Sequence, residues 1–237
     1  MSYKVNLVRK REIADGTMAF YFTRPEAFDF RPGQTIDLTL IDPKEADIKG
    51  NSRTLSIASA PFETELMVAT RLRGSAFKTT LHDMSAGTAV NIDGPFGDFT
   101  LHKDENRPAV FLIGGIGVTP IRSMVAQATK DQSKHKLTLI HANRKFIDVP
   151  FRSDFQDLAN ANPNFKYVQT LTAFAPDDWG DERGRIDEVM IKRHVDDTSA
   201  ALYYLSGPAG MVSAMRSLLI GMNVSEDNIR SEEFPGY

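Results

Sequence analysis

The spacing of hydrophobic residues changes abruptly near the middle of this chain of 237 residues. Up to about residue 100, apolar and polar side chains alternate, as at Ile36, Leu38 and Leu40, which is the period of half-buried β-strands. After the polar segment 102–108, short apolar runs alternate with segments of helical periodicity. Two periods indicate two domains, and the length agrees with domains of roughly 100 to 150 residues.

The first half contains six strand candidates, separated by Gly, Pro and Asp. They are residues 3–10, 18–22, 34–40, 53–58, 65–72 and 88–92. Short strands at this density are typical of a small antiparallel barrel. We therefore predict an antiparallel six-stranded β-barrel at the N-terminus.

The second half contains apolar runs of strand length, which are residues 109–113, 136–142, 165–171, 201–205 and 228–234. Helical stripes lie between them, for example Ile121, Met124 and Val125. Strands that alternate with helices form parallel, doubly wound sheets. A Rossmann-like α/β domain is therefore predicted at the C-terminus.

The composition excludes several kinds of chemistry. The chain has no Cys, which rules out disulfides, thiolate nucleophiles and iron–sulfur clusters held by four thiolates. The net charge of −3 gives no basic excess for nucleic acid, and the five His have no metal-ligand spacing. We therefore expect no metal site. Neither a signal peptide nor a membrane span is recognisable in the sequence, so we expect a cytoplasmic protein.

A glycine-rich segment, Gly-Gly-Ile-Gly-Val-Thr-Pro at 114–120, follows the first predicted parallel strand and begins a helix. Glycine lets the backbone approach a diphosphate, and a helix N-terminus favours an anion. Thr119 and Pro120 suit the first positions of that helix. Ser-Gly-Pro at 206–208 follows the fourth parallel strand. Because ligands of such sheets bind outside the carboxyl ends of the strands, both turns are predicted to contact one dinucleotide; ordinary tight turns are the alternative.

Two segments of the barrel half also indicate ligand binding. Alternation puts Arg53, Leu55 and Ile57 on one face of a strand, where a charge beside an apolar surface suits a large amphipathic ligand. In 70–81, an Arg-rich strand enters a Gly turn and a short helix, whose first N–H groups, with Lys78, are predicted to hold a pyrophosphate. Solvated side chains are the alternative for both. Residues 94–99 predict a tight bend with buried aromatics.

In their order and spacing, these motifs resemble the ferredoxin-NADP reductase family over nearly the whole chain. The motifs are Arg-Thr-Leu-Ser at 53–56, residues 74–81, Gly-Pro-Phe-Gly at 94–97, residues 114–120 and Ser-Gly-Pro at 206–208. The resemblance implies an FAD-binding barrel domain at 1–103 and an NAD(P)-binding domain at 104–237. It implies an enzyme that moves a hydride from NAD(P)H to FAD and then electrons to an external acceptor such as ferredoxin or flavodoxin.

The resemblance also assigns roles in the flavin site. Arg53 would meet the pyrophosphate and Ser56 would approach flavin N5, while Leu55 stands where the family usually has Tyr, so that aliphatic packing replaces ring stacking. The candidate flavin-binding residues are Arg53, Thr54, Leu55, Ser56, Ala69, Thr70, Arg71, Ala76, Phe77, Lys78 and Thr79.

In the nucleotide site, Ser206 replaces the first residue of the family's Cys-Gly-Pro. Family members often end with an aromatic residue against the flavin, which here would be Phe234 or Tyr237. The candidates for the reacting centre are therefore Ser56, Ser206, Phe234 and Tyr237. The candidate nucleotide-binding residues are Gly114, Gly115, Gly117, Thr119, Pro120, Asn143, Arg144, Gly207, Pro208 and Met211.

The preferred nucleotide and the electron acceptor are less constrained. Arg144 follows the second parallel strand, where a 2′-phosphate would lie, and Arg183 and Arg185 are further candidates, so we predict NADPH over NADH. A reductase of free flavin or ferric chelates is one alternative. An electron-transfer subunit that is active only within a complex is another.

Overall fold

The computed structural model describes residues 2–45 and 47–234. Contacts within the chain divide it into two units. The first contains residues 1–100 together with 119–127, and the second contains residues 101–118 together with 128–237.

The first unit is built on a six-stranded antiparallel sheet. Its strands are β1 (Ser2–Ala14), β2 (Thr17–Thr23), β3 (Thr35–Leu40), β4 (Ser52–Ser56), β5 (Glu65–Arg71) and β6 (Ala89–Phe96). Their order in the sheet is β4-β3-β6-β1-β2-β5. The two edges meet, because Ile57 bridges Val68 and the N–H of Ala58 donates to Met67 O at 2.7 Å. The predicted barrel is therefore confirmed.

The alternation seen in the sequence is the inside and outside of this barrel. Ile36, Leu38 and Leu40 are buried in its core. Helix α1 (Ala76–Asp83) adds Phe77 to the same core, and its N-terminus is capped by Ser75, whose Oγ accepts from the backbone N–H of Lys78. Burial of one face of α1 fixes its first turn close to β4 and the loop before it.

The second unit is a six-stranded parallel sheet with helices between its strands. The strands are β7 (Ala109–Gly114), β8 (Leu137–Asn143), β9 (Phe165–Leu171), β10 (Glu182–Arg183), β11 (Leu202–Gly207) and β12 (Ile229–Glu233). The order is β10-β9-β8-β7-β11-β12, with parallel neighbours throughout. The helices of this unit are α3 (Arg152–Ala161), α4 (Glu188–His194) and α5 (Ala209–Gly221), whereas α2 (Thr119–Lys130), which follows β7 along the chain, has its residues 119–127 in the first unit. This is the predicted doubly wound architecture.

Some details differ from the sequence predictions. β1 continues to Ala14 because it pairs first with β6 and then with β2, so its length depends on partners distant in sequence. Of the two aromatic residues expected to be buried near the 94–97 bend, Phe99 is buried but Phe96 is 45% exposed. No helix within the described residues has the length and apolar character needed to cross a membrane.

Candidate functional site

In the second unit, the turns after β7 and β11 pack backbone against backbone. A Cβ atom on Gly117 would lie 2.7 Å from both Gly207 N and Ser206 C. Gly207 has a φ of +147°, and a Cβ there would lie 3.1 Å from Gly114 N and O. Only glycine fits such contacts. The two glycine turns expected to share one ligand are thus brought together at the carboxyl edge of the sheet.

Two buried polar side chains at this edge lack hydrogen-bond partners among the described residues. Ser206 Oγ, at the end of β11, and Asn143 Nδ2, at the end of β8, are buried without an acceptor or donor. β7, which ends at Gly114, lies between these strands. Because buried polar groups are nearly always hydrogen-bonded, two unpartnered groups here fit a polar ligand.

Other predicted nucleotide-binding residues surround the same turns. Met211 lies against Gly114, since its Sδ would be 2.4 Å from a Cβ placed there. Phe234 donates its backbone N–H to Gly207 O at 3.1 Å, which brings the end of the described chain to the turn after β11. Thr119 and Pro120, both buried, are the first two residues of α2. Tyr237 lies outside the described residues.

A cavity of about 560 Å³ that the sequence analysis missed lies in the second unit. It is lined by Phe146, Arg152, Gln169, Pro176, Asp178, Trp179, Gly180 and Asp181. The rings of Phe146 and Trp179 meet edge to face at 5.8 Å, and the Arg152 guanidinium lies 4.5 Å from the Phe146 ring. The one signal in the sequence was Trp179, the only Trp of the chain.

Arg183, a candidate for the 2′-phosphate, is already bound within its unit. Its guanidinium donates to backbone carbonyls of the segment before it, most closely to Pro176 O at 2.7 Å. Arg183 therefore holds the 175–179 segment that forms one wall of the cavity. Arg144 and Arg185 have exposed side chains.

In the first unit, Arg53 is bound to the loop that precedes its own strand. Its Nη2 donates to both carboxylate oxygens of Asp47, at 2.6 and 2.7 Å, and its Nη1 donates to the carbonyls of Lys49, Gly50 and Ser52. The guanidinium holds the pKa of Asp47 below its ordinary value. A phosphate bound by Nη2 would therefore have to replace Asp47.

Lys78, in the first turn of α1, belongs to a cluster of cations. Burial lowers the pKa of Lys78, and the charges of Arg53, Lys49 and Arg73 lower it further. No acceptor among the described residues lies within hydrogen-bond distance of Lys78 Nζ. A cavity of about 170 Å³ beside it is lined by Leu72, Arg73, Gly74, Lys78, Thr79 and His82. Asp47 neutralises Arg53 in this cluster, but Lys78 is paired with no carboxylate among the described residues, which fits an anionic ligand.

The remaining predicted flavin-binding residues occupy different environments. Ser56 is buried at the end of β4, and Leu55 packs against the barrel core. Thr54 lies on the other face of the strand, where its Oγ1 donates to Asp37 Oδ1 at 2.5 Å. The other members of the set are buried or partly buried in β5, or lie in α1: Ala69, Thr70, Arg71, Ala76, Phe77 and Thr79.

The contact between the two glycine turns predicts the effect of a single methyl group. We expect Gly117→Ala to destabilise the protein by about 1–3 kcal/mol, because its Cβ would meet backbone atoms that have no room to move. The matched control is Gly210→Ala in α5, where a Cβ would meet no atom within 4 Å. Urea unfolding of both variants measures the difference, and equal midpoints would contradict the packing described.

Comparison with known proteins also points to nucleotide binding by the second unit. Residues 111–217 match the family model of the oxidoreductase NAD-binding domain. The phenol hydroxylase P5 protein of Acinetobacter pittii is 25% identical over 98% of this chain and 65% of its own length. A flavohemoprotein of Oceanobacillus iheyensis is 28% identical over 86% of this chain and 51% of its own length. The chain thus spans half to two thirds of these relatives.

Solved structures share the fold. The FAD/NAD-binding domain of nitric oxide dioxygenase from Vibrio cholerae superposes with a TM-score of 0.86 at 20% identity, covering 98% of both chains. A ferredoxin NADP+ reductase from Neisseria gonorrhoeae, solved with bound FAD and NADP, gives a TM-score of 0.83 at 19% identity and 98% coverage of both. These likenesses show that the chain has the fold of the two structures, and its residues 111–217 match the family model of the oxidoreductase NAD-binding domain.

Proposed function

We propose that this chain is an NAD(P)H-dependent flavoprotein reductase, with FAD bound by residues 1–103 and the nicotinamide nucleotide by residues 104–237. Bound FAD would supply the chemistry, taking a hydride from NAD(P)H and releasing electrons to an external acceptor. The observation that carries the proposal is the glycine contact between the turns after β7 and β11, with Ser206 Oγ unpartnered beside it.

The cation cluster of the first unit is the proposed site of the FAD pyrophosphate. Lys78 supplies a charge without an acceptor among the described residues, next to the N-terminus of α1. An anion there would relieve the repulsion from Arg53, Lys49 and Arg73 that adds to burial in lowering the pKa of Lys78. Arg53 contributes charge from the side and orders the loop around Asp47. The flavin ring would then be flanked by Leu55, with Ser56 near flavin N5.

The carboxyl edge of the second unit is the proposed site of the nucleotide. Ser206 Oγ and Asn143 Nδ2 offer hydrogen-bonding groups, and the diphosphate would lie at the turn Gly115–Val118, which leads into the N-terminus of α2. Phe234, beside the turn after β11, is the proposed aromatic residue near the reacting rings. The exposed Arg144 favours NADPH over NADH.

The electron acceptor is proposed to be a separate carrier such as ferredoxin or flavodoxin. These 237 residues contain no Cys, so they do not themselves hold an iron–sulfur cluster on four thiolates. The alternatives are reduction of free flavin or ferric chelates, and a subunit active only within a complex. The location in the cytoplasm stays a prediction.

Removal of the Lys78 ammonium tests the flavin site. We expect Lys78→Ala to weaken FAD binding by about 1.5–3 kcal/mol, the usual contribution of a hydrogen bond to a charged group, without loss of folding. The control is Lys103→Ala, an exposed lysine outside the cluster. Fluorescence titration of the flavin-free protein with FAD measures both affinities, and an unchanged affinity in Lys78→Ala removes this residue from the site.

The acceptor is tested by assays of FAD-loaded protein with NADPH and with NADH. We expect fast reduction of a ferredoxin or flavodoxin, with ferricyanide as a check that the flavin is competent, and a lower Michaelis constant for NADPH. Faster turnover with riboflavin or a ferric chelate would show that the acceptor is a small molecule and not a protein carrier. Turnover with ferricyanide but with no other acceptor would favour an electron-transfer subunit that is active only within a complex. No turnover with any of these acceptors would contradict a reductase.

A further inference from the structure

A buried histidine contacts the glycine-rich turn from inside the second unit. His141 is in β8, has no exposed surface, and pairs in register with Ile113 of β7, one residue before Gly114. Its Nε2 lies 2.9 Å from the carbonyl oxygen of Gly115. Its Nδ1 lies 3.5 Å from the hydroxyl of Tyr167 in β9. Neither partner is near His141 in sequence, so the contact is a product of the fold.

The chemistry of the two partners fixes the protonation of His141. A carbonyl oxygen can only accept, so Nε2 must carry the proton and donate it to Gly115. Nδ1 is then the acceptor for the Tyr167 hydroxyl. Burial lowers the pKa of His141 to about 4, while the bond to Gly115 works in the opposite direction. The ring is therefore neutral near pH 7, with its single N–H committed to the turn.

The carbonyl that His141 holds belongs to a residue of unusual conformation. Gly115 has a φ of +51° and begins the 3₁₀ turn Gly115–Val118 that leads into α2. A trans peptide is planar, so an oxygen held on one side fixes the N–H of the next residue on the other. The bond from His141 thus sets the plane of the peptide between Gly115 and Ile116.

We propose that His141 is a positioning residue for the nicotinamide nucleotide, because its Nε2–H holds the Gly115 carbonyl and so orients the turn at which the diphosphate binds. This rests on the nucleotide site proposed above. His141 does not contact the nucleotide itself. Its contribution is to the binding of the nucleotide, and not to the flavin site or to the rate of the reacting groups.

The test compares side chains that differ in donor reach. His141→Gln places an amide N–H at about the position of Nε2, whereas His141→Asn reaches only to the position of Nδ1. His141→Phe keeps a ring and removes both nitrogens. Tyr167→Phe removes the hydroxyl on the other side and leaves the donor to Gly115 intact. All four are studied as the full chain loaded with FAD, with urea unfolding to establish that each is folded.

The readouts are the dissociation constants of NADP+ and NAD+ by calorimetry, and the KM and kcat of ferricyanide reduction. We expect His141→Phe and His141→Asn to raise the dissociation constant and KM about 5-fold to 20-fold, the equivalent of one lost hydrogen bond, with little change in kcat or FAD affinity. His141→Gln is expected to restore most of the affinity. Tyr167→Phe is expected to stay close to the natural chain.

Three results would overturn the inference. The first is a folded His141→Phe with unchanged nucleotide affinity; if that variant does not fold, equal affinities of His141→Asn and His141→Gln decide in the same way. The second is a loss of FAD affinity as large as the loss of nucleotide affinity. The third is a natural chain that binds neither NADP+ nor NAD+, which contradicts the proposed function as well, whereas the first two leave that function intact.

Discussion

The close backbone contact between Gly117 and Gly207 is the constraint on which the nucleotide-binding unit depends. β7 and β11 are parallel neighbours, and the register that pairs Ile113 with Ser206 places the turns that follow these strands side by side. Any side chain at Gly117 would force the turns apart. Ser206 Oγ, at the end of β11, is buried there without a hydrogen-bond partner among the described residues. A ligand that spans both turns is the simplest group to complete that edge.

The two units offer different groups to the anions proposed for them. The second relies on backbone freedom at glycines and on neutral side chains such as Asn143 and Ser206. The first concentrates cations around the start of α1, where Lys78 lies among Arg53, Lys49 and Arg73. Asp47 neutralises Arg53 in part, but it leaves Lys78 without a counter-charge. Since unpaired partly buried charge is unfavourable, the cluster has a physical reason to take up a phosphate.

Local sequence patterns were sufficient where burial alone decides the structure. The alternation at Ile36, Leu38 and Leu40 predicted β3 because one face of that strand fills the barrel core. Glycine spacing likewise located the turn after β7. The bonds between Asp47 and Arg53 and between His141 and Gly115 were not predictable in this way. Periodicity says that a side chain is buried or exposed, but it does not say which distant group the side chain will meet.

The cavity lined by Phe146 and Trp179 shows the same limit of sequence patterns. Phe146 and Trp179 lie in segments without regular periodicity, and they meet because the ends of β8 and β9 are neighbours in the sheet. Arg183 looked like a free cation in the sequence, yet four backbone carbonyls of the preceding segment accept from it. The charge of a residue is readable from the sequence, whereas its availability to a ligand depends on the tertiary structure.

The visible spectrum of the purified protein, recorded without oxygen before and after addition of NADPH and then NADH, tests the central claim most directly. The account predicts that the protein takes up FAD in equimolar amount and that a nicotinamide nucleotide bleaches the flavin absorption. A protein that takes up no FAD, or one whose bound flavin stays oxidised with both nucleotides, would contradict it.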